Sequence, residues 1–289
     1  MKDVTRLGID LAKDVFQLKG VNSKGELVFN RRLMRNKLLP FIGKLPPCTI
    51  VMEACSSANY WSRKFHNLGH KPEQISPQYV KPYVRGNKND KNDADGIVTT
   101  SLQPGIPRVA TKTLEQQDIQ LIHREREHMM KERTATVNQI RGFLREYGVF
   151  IKVGISHVYE EIPFILEDAS NELTFRARAS IKRQYDRLKD IDKHIELLDK
   201  EIDEICKQNE ACQRLLKLKG IGPKTASIIF ATIGNAKNFK NGRHFAAFLG
   251  LVPREHSSGN KQKLLGISKR GNTYIRTHYA RYSGLIRAI

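Results

Sequence analysis

Between positions 181 and 205 eight apolar side chains, Ile181, Tyr185, Leu188, Ile191, Ile195, Leu198, Ile202 and Ile205, recur at steps of three and four residues, with Asp, Glu, Lys and His between them. That period belongs to a helix, and it predicts one over roughly 174–206. The stripe comes close to a coiled-coil seam sustained for over three heptads, so a dimerising or intramolecular coiled coil is expected, with a helix packed within its own chain as the alternative. A second highly charged helical pattern runs from about Leu114 to Tyr147 and stops at Gly148. With 289 residues there is room for a domain on either side of these helices. The expected division is 1–112, 113–206 and 207–289.

The first segment alternates differently. Val4 to Leu11 is an apolar run, Val15 to Leu18 follows, and Ser23-Lys24-Gly25 turns into Glu26–Phe29. A helix is expected over 36–44, a short buried strand over Cys48–Met52, a helix over 58–69 and a strand over 72–75. Hairpins followed by alternating helices and strands imply a mixed α/β sheet with helices on its faces. The fold class is therefore α/β plus α, a mixed-sheet domain followed by long helices and a mainly helical C-terminal domain.

Hydrophobic residues make up 39% and charged residues 28%, and no apolar run approaches 18 residues, so membrane insertion and secretion are not expected. Cys48, Cys55, Cys206 and Cys212 show no CxxC spacing and read as reduced thiols of a cytoplasmic protein. The net charge is +20, and it is concentrated. From Lys207 to Ile289 there are sixteen Lys and Arg against two acids, Glu210 and Glu255. A block that basic attracts polyphosphate through counterion release, without distinguishing DNA from RNA.

Four acids sit where strand ends and a helix start would bring them together. Asp10 ends the first strand, Glu53 ends the strand Thr49–Met52, and Asp90 and Asp93 lie in Lys88-Asn89-Asp90-Lys91-Asn92-Asp93-Ala94-Asp95, three apart on one helix face. Crowded carboxylates repel unless a divalent cation neutralises them, and hard oxygen ligands suit Mg²⁺, with Mn²⁺ as the alternative. The order is that of RNase H-like nucleases. Asp14 and Asp95 read as solvated or capping residues. His66 and His70 lack a further ligand in zinc spacing and read as non-ligands.

The basic block holds two further patterns. Leu215-Leu216-Lys217-Leu218-Lys219-Gly220-Ile221-Gly222-Pro223-Lys224 reads as a helix–hairpin–helix, in which Gly220 and Gly222 allow a tight turn, N–H groups face a phosphate, and Lys217, Lys219 and Lys224 surround it. Pro253-Arg254-Glu255-His256-Ser257-Ser258-Gly259 is followed by Lys261, Lys263 and Gly266-Ile267-Ser268-Lys269-Arg270-Gly271-Asn272. A serine in such a loop could attack a phosphodiester while Arg254, Lys261, Lys263, Lys269 and Arg270 offset the growing charge. The spacing alone does not choose between Ser257 and Ser258, nor does it make His256 their base.

Taken together, Gly-Ile-Asp near the start, Met-Glu-Ala-Cys, Lys-Asn-Asp-x-x-Asp-Ala, the Gly-Ile-Gly-Pro hairpin and Pro-Arg-x-His-Ser-Ser-Gly leading to Ile-Ser-Lys-Arg-Gly-Asn resemble one family. It is that of the insertion-sequence transposases with an N-terminal DEDD domain of RuvC-like fold and a C-terminal serine transposase domain, which includes the RNA-guided bridge recombinases. The resemblance runs from about Thr5 to Arg276. It implies that Asp10, Glu53, Asp90 and Asp93 are metal ligands and that Ser258, directly before glycine, is the nucleophile, with Ser257 as the backup. It also implies a noncoding guide RNA, donor and target DNA, and 5′-phosphoserine intermediates leading to a Holliday junction. The DEDD site of one subunit would complete the serine site of another, in homodimers joined into a synaptic complex. Relatives of this kind continue with further helix, whereas here Thr277–Tyr282 and the last residue, Ile289, follow soon after Arg276, so a short form or a decayed copy is also an expectation. The rival readings are a Holliday-junction-type nuclease, which would not need Ser258, and a nucleic-acid-binding remnant that does not cut.

Overall fold

The computed structural model describes residues 3–84, 90–234, 236–259 and 261–277. Two compact units divide the chain, Met1–Thr113 and Leu114–Ile289.

The first unit is built on a six-stranded sheet. Its strands are β1 (Arg6–Asp10), β2 (Val15–Val21), β3 (Leu27–Met34), β4 (Thr49–Glu53), β5 (Lys71–Ile75) and the short β6 (Arg108–Val109), in the order β3-β2-β1-β4-β5-β6. β1, β2 and β3 form an antiparallel meander, β4 and β5 run parallel to β1, and β6 returns antiparallel. Helices α1 (Arg35–Ile42) and α2 (Ala58–Asn67) link successive strands, followed by the single turn α3 (Pro77–Val80) and then α4 (Asp90–Leu102).

Alternation along the strands fixes what each face meets. Leu7 and Ile9 of β1, Phe16 and Leu18 of β2, and Ile50 and Met52 of β4 share one core with Leu38, Ile42, Trp61 and Phe65 of α1 and α2. Val51 of β4 belongs to a separate core with Ile75, Val80 and Ile97, on the face covered by α4. Each large apolar side chain removed from water here contributes about 1.5–3 kcal/mol.

In the second unit, α5 (Leu114–Arg145) and α7 (Phe175–Gln208) form an antiparallel pair, with α6 (Ile155–Glu167) against one end. Ile122 meets Leu198 and Ile202, while Val137, Ile140 and Leu144 meet Ile181, Tyr185 and Leu188. The stripe on α7 is therefore buried against helices of its own chain, and it is not an open dimer seam. Polar pairs flank the seam: the ion pairs Arg126–Asp199 at 2.5 Å and Arg133–Asp192 at 3.1 Å, and His194 Nε2 at 2.9 Å from Glu125 Oε1. The Thr174 hydroxyl caps α7 by accepting the Ala177 N–H at 3.2 Å.

The chain continues through α8 (Glu210–Leu216), α9 (Pro223–Ile233), α10 (Gly242–Leu249) and the hairpin β7 (Pro253–Glu255) and β8 (Leu264–Ile267), and a last helical stretch begins at 273. α9 packs on both α5 and α7. None of the described helices is long and apolar enough to cross a membrane.

Candidate functional site

In the first unit the geometry follows from one glycine. A Cβ at Gly8 would lie 2.4 Å from Val98 Cγ2 and 3.1 Å from the Ala94 carbonyl oxygen, so its absence lets α4 lie directly on β1. Asp10 is two residues further along β1, hence on the same face. β1 and β4 are parallel neighbours in the register Ile9 to Met52, so Asp10 and Glu53 end adjacent strands, and Glu53 shares the face of Val51. On α4, Asp93 precedes the buried Ala94 and Ile97, near the helix N-terminus. The sheet face and the helix start thus carry the carboxylates to one end of the layer.

Asp90 is the first residue of α4, but its side chain lies outside the described residues. Among the described residues, no three His, Cys, Asp or Glu side chains are grouped so as to hold a metal ion. What the fold supplies is a shared end and face for hard oxygen donors, not a closed coordination shell. Asp95, the expected solvated residue, pairs with Lys19 of β2. Asp14 is exposed in the β1–β2 turn. His70 is buried: its Nδ1 accepts the Cys48 N–H at 3.3 Å and its Nε2 lies 3.2 Å from the Ile42 carbonyl. Burial lowers its pKa, which keeps the ring neutral and structural. Burial also pushes the Cys48 thiol up to about 11, far from a reactive thiolate.

In the second unit the serines occupy the tip of the β7–β8 hairpin. The ladder runs from His256 N–H to Lys263 carbonyl at 2.9 Å to the mutual bonds of Ser258 and Lys261 at 3.3 and 3.2 Å, and Gly259 turns with a φ of +57°. The two hydroxyls differ. Ser257 Oγ donates to Glu255 Oε1 at 2.6 Å and accepts the Lys263 N–H at 3.2 Å, so it belongs to the hairpin's own bonding. Ser258 is exposed, and its hydroxyl has no hydrogen bond among the described residues. No bond joins the His256 ring to either serine among those residues. Arg254, Lys261, Lys263, Lys269 and Arg270 are all exposed. Lys261 and Lys263 lie opposite Ser258 and His256 at the tip, whereas Lys269 and Arg270 follow the base of the hairpin, where Ser268 N–H meets the Val252 carbonyl and Lys269 N–H the Gly250 carbonyl.

The Ser268–Asn272 stretch is held mainly by backbone contacts, with the Ser268 N–H on the Val252 carbonyl at 2.8 Å and the Lys269 N–H on the Gly250 carbonyl at 3.0 Å. A Cβ at Gly271 would lie 2.1 Å from the Phe248 carbonyl oxygen and 2.5 Å from the Gly250 nitrogen. The chain therefore passes directly over the end of α10, where Gly250 turns with a φ of +71°. Lys269 takes a φ of +55° in that passage, and Arg276 Nη1 donates to the Leu249 carbonyl at 3.1 Å.

Residues 7–149 match a family profile of DEDD transposases, and residues 212–281 match the profile described as the transposase IS116/IS110/IS902 family. The transposase for insertion sequence element IS1111A of Coxiella burnetii is 44% identical, over 96% of this chain and 76% of its own. A probable family 20 transposase of Pseudomonas aeruginosa is 40% identical over 95% and 82%, and the transposase for insertion sequence element IS1328 of Yersinia enterocolitica is 36% identical over 96% and 82%. The chain belongs to the IS116/IS110/IS902 transposase family. It is an insertion-sequence transposase, an enzyme acting on DNA.

In this transposase the turn over 217–222 joins α8 to α9, with Gly220 at a φ of +86° and Gly222 capping α9. Lys217 and Lys219 are exposed beside it. Lys224 also meets an anion of its own chain: its Nζ donates to Asp199 Oδ2 at 2.8 Å in a partly exposed pair. Sequence reasoning also missed a buried relay. The Tyr274 hydroxyl lies 3.0 Å from His123 Nδ1, His123 Nε2 lies 2.9 Å from Ser227 Oγ, and Ser227 donates to the Pro223 carbonyl at 2.8 Å. The relay ties α5, the start of α9 and the stretch after the serine hairpin together. Its partners are 104 and 151 residues apart, and no local pattern marks them.

Proposed function

We propose that this transposase cuts and rejoins DNA through a covalent bond to Ser258. The observation that carries the choice is the contrast at the hairpin tip, where the Ser257 hydroxyl is tied to Glu255 and Lys263 while Ser258 is exposed and its hydroxyl has no hydrogen bond among the described residues. Ser258 Oγ forms a bond to phosphorus, the bond from phosphorus to the 3′-oxygen breaks, and the proton ends on the departing 3′-hydroxyl. A 5′-phosphoserine remains. Rejoining reverses the step: a 3′-hydroxyl attacks the phosphorus, and Ser258 leaves with the proton. Lys261 and Lys263, next to Ser258 on the hairpin, stabilise the extra negative charge of both transition states, and Arg254, Lys269 and Arg270 extend the cationic surface that holds the DNA.

Asp10, Glu53, Asp90 and Asp93 are the residues that would hold a divalent cation, Mg²⁺ or Mn²⁺, and their all-oxygen chemistry fits that charge. When bound, the cation supplies charge neutralisation and polarisation at a phosphate. The helix–hairpin–helix over 215–233 grips the nucleic-acid backbone through Lys217, Lys219 and the N–H groups of Gly222 and Lys224, since Pro223 has no N–H and those of Thr225 and Ala226 bond the Gly222 carbonyl. A noncoding RNA selecting the DNA partners, and a homodimer built into a larger synaptic complex, complete the reading. The strongly basic C-terminal block supports such a polyanionic partner.

The test is to express the chain with its flanking DNA, isolate protein–DNA complexes under denaturing conditions and map the modified peptide. An adduct on Ser258, lost in Ser258→Ala and reduced in Asp10→Ala, is expected. Cleavage that persists in Ser258→Ala would instead assign cutting to the acidic unit alone.

A further inference from the structure

α10 carries two different sides. Phe245 and Leu249 turn into the core formed with Ile228, Ile229 and Ile275. His244 and Phe248, also one turn apart, do not; His244 is exposed and Phe248 is 39% exposed. Phe239, just before the helix, gathers the rings: its centroid lies 5.4 Å from His244, 5.3 Å from Phe245 and 5.3 Å from Phe248, at interplanar angles of 65°, 71° and 66°. These are edge contacts, so no ring of the cluster covers another face to face. The His244 ring is oriented as well, because its Nδ1 accepts the Lys240 N–H at 3.4 Å, which leaves the proton of the neutral ring on Nε2.

The chain segment that carries the rings is cationic. From Ala211 to Arg254 the sequence holds eight Lys and Arg and not one Asp or Glu. Lys240 and Arg243 lie exposed beside the rings, and neither is in an ion pair among the described residues. An apolar protein partner would leave these charges uncompensated. A strand with unpaired bases satisfies both features, its phosphates meeting the cations and a base lying on an aromatic ring.

We infer that Phe239, His244 and Phe248, flanked by Lys240 and Arg243, form a stacking platform for an unpaired nucleobase of single-stranded nucleic acid. The platform goes beyond the serine chemistry and does not depend on it. Strand exchange exposes unpaired bases in DNA, and a bound RNA would present them too, so the shared chemistry is the base.

The experiment measures binding of the full chain to oligo-dT, oligo-rU, an abasic strand of the same length and a dA·dT duplex. Phe248→Leu keeps an apolar side chain and removes the ring. It should weaken binding to oligo-dT or oligo-rU by on the order of tenfold while leaving the abasic strand and the duplex unchanged. Whichever base-bearing strand loses more identifies the source. Phe248→Tyr should bind like the parent, and His244→Ala, at an exposed position, should show the same base-dependent loss should Phe248→Leu fold poorly. Equal loss on all four probes, or no loss on any, overturns the platform.

Discussion

Tyr185 of α7 donates its hydroxyl to the backbone carbonyl of Tyr159 at 3.1 Å, the acceptor left without its helical donor by Pro163 four residues later. A proline inside a helix removes one N–H and commonly breaks it. Here a phenol from a neighbouring helix takes the place of the missing donor, and α6 continues to Glu167. Tyr185→Phe should lower the unfolding free energy by about 1 kcal/mol. In a Pro163→Ala background the restored N–H reaches the same carbonyl, so the cost of Tyr185→Phe should shrink. Chemical denaturation of the four proteins tests this, and strictly additive effects would rule the compensation out.

Two glycines should respond differently to a single methyl. At Gly8 the nearest obstacle is the end of the Val98 side chain, so Gly8→Ala should cost about 1–3 kcal/mol and be partly rescued by Val98→Ala. At Gly271 the obstacles are the Phe248 carbonyl and the Gly250 nitrogen, which are backbone. Gly271→Ala should therefore displace the Ser268–Asn272 passage and be rescued by no side-chain truncation. Thermal unfolding of the single and double variants, with DNA cleavage alongside, separates the two cases.

The sheet was legible because its strands and turns are local patterns. Val4–Leu11, Cys48–Met52 and the hairpin at Ser23-Lys24-Gly25 appear near their expected places as β1, β4 and the β2–β3 turn. The α7 stripe gave the burial of Ile181 to Ile202 but not the partner, since a seam of that period fits α5 as readily as a second chain. α6 was illegible because Pro163 imitates a helix breaker, and its rescue depends on Tyr185, 26 residues from the carbonyl it satisfies. The β7–β8 hairpin reads as a loop in the sequence because Gly, Ser and Lys fill it and its strands are only three and four residues long. In the acidic constellation, residue order revealed the shared sheet end. The ion pair of Lys224 is not legible in the sequence because its partner Asp199 is 25 residues away on another helix.

That pair makes a pH prediction. Burial alone would raise the Asp199 carboxyl, but hydrogen bonds and charge from Arg126 and Lys224 outweigh it and hold its pKa below the usual value of 3.8. A depressed carboxylate contributes stability above its unfolded pKa and loses it as pH falls through the folded one. Asp199→Asn, which leaves two partly buried cations without their anion, should destabilise the protein at neutral pH by about 1–3 kcal/mol. The gap from the parent should narrow as acid protonates Asp199 itself. Denaturation at a series of pH values checks the sign, and a gap that widens toward acid would contradict it.

Exposed and engaged lysines should also separate in binding. Lys217→Ala and Lys219→Ala should weaken nucleic-acid binding across all sequences and reduce the salt slope by about one each, as loss of a phosphate contact does. Lys224→Met should lower stability and leave that slope nearly unchanged, because its charge already faces Asp199 at 2.8 Å. Equilibrium binding at several salt concentrations distinguishes them.

The adjacent serines provide the sharpest contrast. Ser257→Ala removes the hydroxyl that bonds Glu255 at 2.6 Å and receives the Lys263 N–H at 3.2 Å, so it should loosen the hairpin by about 1 kcal/mol. Its effect on strand cleavage should stay within about tenfold, because the attacking group is still present. Ser258→Ala removes no hydrogen bond of the hairpin among the described residues, so the fold and its melting temperature should be unchanged. Cleavage and the covalent adduct should nevertheless fall by about a thousandfold or more. The comparison reads melting temperature and adduct yield on the same preparations. If Ser257→Ala abolishes the adduct while Ser258→Ala retains it, the nucleophile is Ser257 and its bond to Glu255 is part of the chemistry.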